Sequence, residues 1–106
     1  MNINEFVREA HKNAREKGFW QDWDLAKFGA EKNNAIGNRL MLIVSELGEA
    51  LEALRHDDTQ NFNEELADVA IRLADLSGGL EVDLQTEIER KMAKNRTRDK
   101  LHGKKF

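Results

Sequence analysis

A chain of 106 residues, 40% of them apolar, has material for one modest core, and with no cysteine it has neither a disulfide framework nor a thiolate metal site. The formal charge of −3 opposes the footprint of a protein that grips a nucleic-acid backbone, and no apolar run approaches the roughly 20 residues that a bilayer requires. Residues Met1 to Lys12 are too polar for an export signal. The expectation is a single domain over residues 1–106, in the cytoplasm, engaging neither a nucleic-acid polymer nor a membrane. A domain this small buries little of its surface, so a homodimer or homotetramer is the economical way to enlarge the core.

Proline and tyrosine are absent and the long segments carry helical periodicity, which predicts an all-α fold. A first helix spans about Asn4 to Lys17, with Phe6, Val7, Ala10 and Ala14 on one face, Asn2 and Glu5 as a capping box, and Gly18 at its end. Phe19 to Asn34 has aromatics such as Phe19, Trp20 and Trp23 but no clean stripe and reads as a loop with a short helical turn. A second helix starts near Asn33 or Asn34 and runs to about Arg55, with Leu40, Ile43, Leu47, Leu51 and Leu54 as its core stripe. A third follows Asn61 and Glu64, another capping-box pattern, with Phe62, Leu66, Val69, Ala70, Leu73 and Leu76 inward and Gly78-Gly79 as its stop. Asp83 caps a fourth helix that carries Leu84, Ile88 and Met92 to about Asn95, and a basic tail begins near residue 97. Four helices predict a bundle completed by homo-oligomerisation.

Two acidic pairs stand out. Glu46 and Glu49 on the second helix and Glu65 and Asp68 on the third each lie three apart, so each pair projects from one helical face. Leu42 and Ala53 flank the first pair at spacings of four, which is not the pattern of a solvated face. The third helix has a polar stripe of Asn61, Glu65, Asp68, Arg72 and Asp75 beside its apolar one. If the two acid faces pack together, the like charges need neutralising, and Mg²⁺, with Mn²⁺ as a substitute, is the natural hard counterion for oxygen ligands. The plain alternative is that charged pairs at this spacing are ordinary surface features.

Glu46-Leu-Gly-Glu49 followed by Glu65-Leu-Ala-Asp68 resembles the E-x-x-E and E-x-x-D motif pair of the MazG-like pyrophosphohydrolase superfamily. The segment from Glu81 to Arg98 is similar to that family's final helix, and His102-Gly-Lys104 to its closing segment. The resemblance implies Mg²⁺ held by Glu46, Glu49, Glu65 and Asp68, with hydrolysis of a nucleoside triphosphate to monophosphate and pyrophosphate. Glu49 and Glu46 are then the residues expected to act in catalysis, and house-cleaning of the nucleotide pool is the implied role. Lys91, Lys94, Asn95 and Arg98 become phosphate or sugar contacts, although cations near a helix C-terminus also simply complement its dipole. Trp20, Trp23 and His11 become base contacts, although such aromatics more often seal a core or an interface. The rival reading is a non-catalytic helical module whose acidic faces meet a basic partner. A di-metal oxidase is disfavoured because no His follows a Glu at i+3 in these helices.

Overall fold

The computed structural model describes residues 1–98, which form five helices. α1 spans Ile3–Glu16, α2 Gln21–Leu25, α3 Gly29–Arg55, α4 Thr59–Gly79 and α5 Leu84–Arg96. The basic segment beyond Arg98, with His102 and Lys104, lies outside the described residues.

Local chemistry explains the helix starts. The Asn2 side chain accepts from the Glu5 N–H at 2.8 Å, and Asp83 accepts from the Thr86 N–H. α4 is capped by Asp58, which accepts from the Asn61 N–H at 3.1 Å, so the helix begins before the expected Asn61 box. α3 likewise begins at Gly29, ahead of Asn33, and runs through 27 residues. Gly18, at φ +81, supplies the left-handed turn that ends α1.

α4 is the centre of the arrangement, packed against α3 on one side and α1 on another, while α5 rests on α1 and α2 on α3. The short connection over residues 56–58 makes α3 and α4 a helical hairpin. One buried cluster joins Val7 and Ala10 of α1 to Ala74 of α4, and a second joins Ala14, Trp20 and Leu76. The α3 and α4 hairpin buries Ala50, Ala53 and Glu65.

The four long helices therefore do not close a bundle around the expected leucine stripe. Leu40, Leu47 and Leu51 are each 48% exposed, and Leu54, Leu66, Leu73 and Met92 are also exposed. A radius of gyration of 16.4 Å, against about 13 Å for a compact domain of ~100 residues, agrees with so open a packing.

α4 ends at Gly79, as the Gly78-Gly79 stop predicts, and Leu80 and Glu81, the latter at φ +57, turn the chain. The two glycines also permit close approach. A Cβ on Gly79 would stand 2.0 Å from the Trp20 ring, and one on Gly78 would stand 2.7 Å from His11 Cβ. Trp20 is 1% exposed and cannot retreat, so Gly79→Ala is expected to lower the unfolding free energy by about 1–3 kcal/mol, as overpacking does. Urea denaturation of the two proteins checks this, and an unchanged midpoint would mean that Trp20 has room to move.

Candidate metal centre

Glu46 and Glu49 rise from adjacent turns of α3, and Glu65 faces them from α4. One carboxylate oxygen from each lies within 4.8 Å of the others. The small side chains of Ala50 and Ala53 on α3 let α4 approach closely enough for this convergence. The Glu65 residue is 9% exposed and the Glu46 side chain 12%, whereas Glu49 is open to solvent.

Three carboxylates at this separation cannot all stay ionised without compensation. Glu65 is pushed up to about 7, first by its hydrogen bond to Glu46, then by burial and by the charge of Glu49. Glu46 is held below the usual carboxylate range, first by that same bond and further by the Arg72 guanidinium. Arg72 Nε donates to Glu46 Oε1 at 3.0 Å. Among the described residues, Glu65 Oε2 is buried with no hydrogen-bond donor directed at it. A buried, partnerless carboxylate oxygen beside two further carboxylates is a donor set that fits a hard divalent cation such as Mg²⁺.

Two cavities flank the cluster. One, of about 350 Å³ between α1 and α4, is lined by Glu46, Asp68, Arg72 and Asp75 together with Asn13, Lys17 and Phe19. The other, of about 320 Å³, is lined by Glu49 and Glu65 with Glu52, His56, Asp58 and Asn61. Asp68 thus stands exposed on the wall of the first cavity, outside the three-acid group. Glu46 belongs to both places.

The residues expected at a base are arranged as structure. Trp20 Nε1 donates to Asp75 Oδ1 at 2.8 Å, and His11 Nδ1 lies 2.9 Å from the same oxygen. Arg15 Nε donates to His11 Nε2 at 2.8 Å, which leaves the Nδ1 proton for Asp75. The Arg39 guanidinium lies 3.9 Å from the Trp20 ring centroid, paired with both Asp22 oxygens and donating to the Ala35 and Phe19 carbonyls. Trp20 consequently offers no face to a ligand in this form of the chain. Trp23 is partly buried, with Lys32 Nζ 4.0 Å from its ring centroid.

Lys91, Lys94 and Asn95 lie exposed on α5, and Arg98 follows the end of that helix at Arg96. None of the four lines either cavity beside the acids. Arg72 and Asp75 belong to the polar stripe of α4, and spacing alone assigns neither of them a role. Their place seven and ten residues after Glu65 on that stripe is the signal that connects them to the acids.

The fold and the site define an all-helical protein with three carboxylates converging between α3 and α4. A family model of the MazG nucleotide pyrophosphohydrolase domain matches residues 37–102, more than half of the chain, and the chain belongs to that family. Comparison with curated proteins and with solved structures gives no match. The matched segment contains Glu46, Glu49, Glu65 and Asp68 but not His11, Trp20 or Trp23.

Because the folded pKa of Glu65 exceeds its ordinary value of 4.5, the folded chain holds an extra proton between about 4.5 and about 7. Stability of the metal-free protein should then fall as pH rises through that window, while the depressed Glu46 acts only below it. Denaturation in EDTA across this range is expected to show the fall in the native protein and a flatter profile in Glu65→Gln. An unaltered slope in the variant would remove Glu65 as its source.

Proposed function

We propose that this protein is a Mg²⁺-dependent nucleoside triphosphate pyrophosphohydrolase that converts a ribo- or deoxyribonucleoside triphosphate and water to the monophosphate and pyrophosphate. House-cleaning of the nucleotide pool is the role that this reaction fits. The observation that carries the reading is the convergence of Glu46, Glu49 and Glu65, with the buried, partnerless Glu65 Oε2, inside the segment that matches the family.

Glu46, Glu49 and Glu65 would hold the cation, with Asp68 reaching it from the wall of the adjoining cavity. Bound there, Mg²⁺ supplies polarisation of a phosphoryl oxygen, a more acidic water and charge compensation for the leaving pyrophosphate. Glu49, the one solvent-open acid of the three, would orient the attacking water and accept its proton. Attack forms an oxygen bond to the α-phosphorus while the bond from that phosphorus to the bridging oxygen breaks, and the electron pair leaves with pyrophosphate. Arg72 keeps Glu46 ionised and fixed through Oε1.

The cavity between α1 and α4 would take the nucleotide and its phosphates, because Glu46 and Asp68 stand at its wall and its volume lies in the range of small-molecule sites. His11 and Trp20 support that cavity from behind through Asp75, which lines it, and Trp23 lies next to Trp20. The half-exposed leucines of α3 and α4 support assembly into a homodimer or homotetramer. Lys91, Lys94, Asn95 and Arg98, exposed in the single chain, stay proposed as phosphate or sugar contacts within such an assembly.

Pyrophosphate release from a panel of ribo- and deoxyribonucleoside triphosphates, with Mg²⁺ and with EDTA, tests the reading. Metal-dependent release with a monophosphate product is expected, and its absence across the panel would contradict the proposal. Glu49→Gln and Asp68→Asn should each lower kcat by about 100-fold or more while the helical circular dichroism is kept, in line with the loss of a general base or metal ligand. Near-native turnover in either variant would remove that residue from the site.

A further inference from the structure

Among the described residues, Arg72 is the cationic side chain that pairs with an acid of the carboxylate cluster. Arg72 donates to Glu46 through Nε, and among the described residues its Nη1 and Nη2 make no hydrogen bond. The Glu46 side chain is 12% exposed and the Arg72 side chain 40%, so the buried acid anchors a guanidinium whose outer part stays open. Arg72 lines the cavity between α1 and α4 together with Asp68 and Lys17.

We propose that Arg72 binds a phosphate of the triphosphate substrate in this cavity, held in position by Glu46. The inference rests on the pyrophosphohydrolase reading and adds to it a phosphate contact that comes from α4 itself. A guanidinium is a planar fork of five N–H donors, and fixing one edge through Nε leaves the Nη donors preset for a phosphate. Side-chain entropy is then spent in the free protein rather than at binding. An ordinary surface ion pair would leave both partners solvated and contribute little, whereas here one partner is nearly buried at the metal-binding acids. The cavity also needs a cation, because Glu46, Asp68 and Asp75 would repel a polyphosphate, and among the described residues Lys17 is the only other basic one that lines it.

The test measures binding of inorganic tripolyphosphate in the presence of Mg²⁺, and separately of Mn²⁺ alone, by calorimetry on the native protein, Arg72→Gln and Arg72→Lys. Loss of charged hydrogen bonds is expected to weaken tripolyphosphate binding ~10-fold or more in Arg72→Gln. Mn²⁺ affinity should move by less than ~5-fold, as befits a partly exposed charge near the ion. Arg72→Lys should fall between, because one ammonium cannot serve Glu46 and a phosphate as a fork does. If Arg72→Gln binds tripolyphosphate as the native protein does, or loses Mn²⁺ and tripolyphosphate affinity equally, the inference is overturned, and Arg72 serves Glu46 alone. Should Arg72→Gln fail to fold, native-like tripolyphosphate binding by Arg72→Lys would overturn it instead. A native protein that releases pyrophosphate while its variants bind normally sinks only the Arg72 inference. One that neither binds tripolyphosphate nor releases pyrophosphate sinks the enzymatic reading as well.

Discussion

The repulsion among Glu46, Glu49 and Glu65 is the constraint around which the middle of this protein is organised. Alanines at positions 50 and 53 draw α4 against α3, and that closeness is what forces the acids together. The free chain answers in two ways: a proton retained on Glu65, and a guanidinium placed on Glu46. Neither satisfies Glu65 Oε2, and a divalent cation would answer all three carboxylates at once. The membership of residues 37–102 in the MazG family gives that arrangement its chemical setting.

The N-terminal half supports this hairpin from one side. Asp75 gathers the indole N–H of Trp20 and the imidazole of His11 at one oxygen, so α1 and the turn after it are fastened to α4 three residues beyond Arg72. Arg39, 9% exposed yet paired with Asp22 and two backbone carbonyls, fastens the same turn to α3. A buried charge so fully satisfied is tolerable, and its planar face also packs against Trp20. The wall of the cavity beside Glu46 and Asp68 is thereby held by polar bonds more than by a broad apolar core.

Much of this was legible in the residues. The absence of proline, the helical spacing and the caps at Asn2 and Asp83 give the helical class and two of the helix starts, and the paired spacing of the acids puts Glu46, Glu49 and Glu65 in one place. Periodicity could not tell a stripe that packs within one chain from one left open, so Leu40, Leu47 and Leu51 were assigned to a core that a single chain does not build. Gly78 and Gly79 do end α4, but composition does not reveal that Trp20 and His11 press against them. The hydrogen bond that holds Trp20 is equally hidden, since nothing local announces the Asp75 acceptor 55 residues away. Asp68 shares the motif with Glu65 but turns to the neighbouring cavity wall, a distinction that depends on the rotation of α4 about its axis rather than on spacing.

The account depends most on the claim that the three carboxylates form a cation site. Anomalous diffraction from crystals soaked in Mn²⁺ tests it most directly, because the ion can be located without reference to turnover. A peak between Glu46, Glu49 and Glu65, with carboxylate oxygens at about 2.0–2.2 Å as for a hard octahedral cation, is the expected result. Crystals that take up Mn²⁺ elsewhere, or not at all, while the three acids stay together would contradict it.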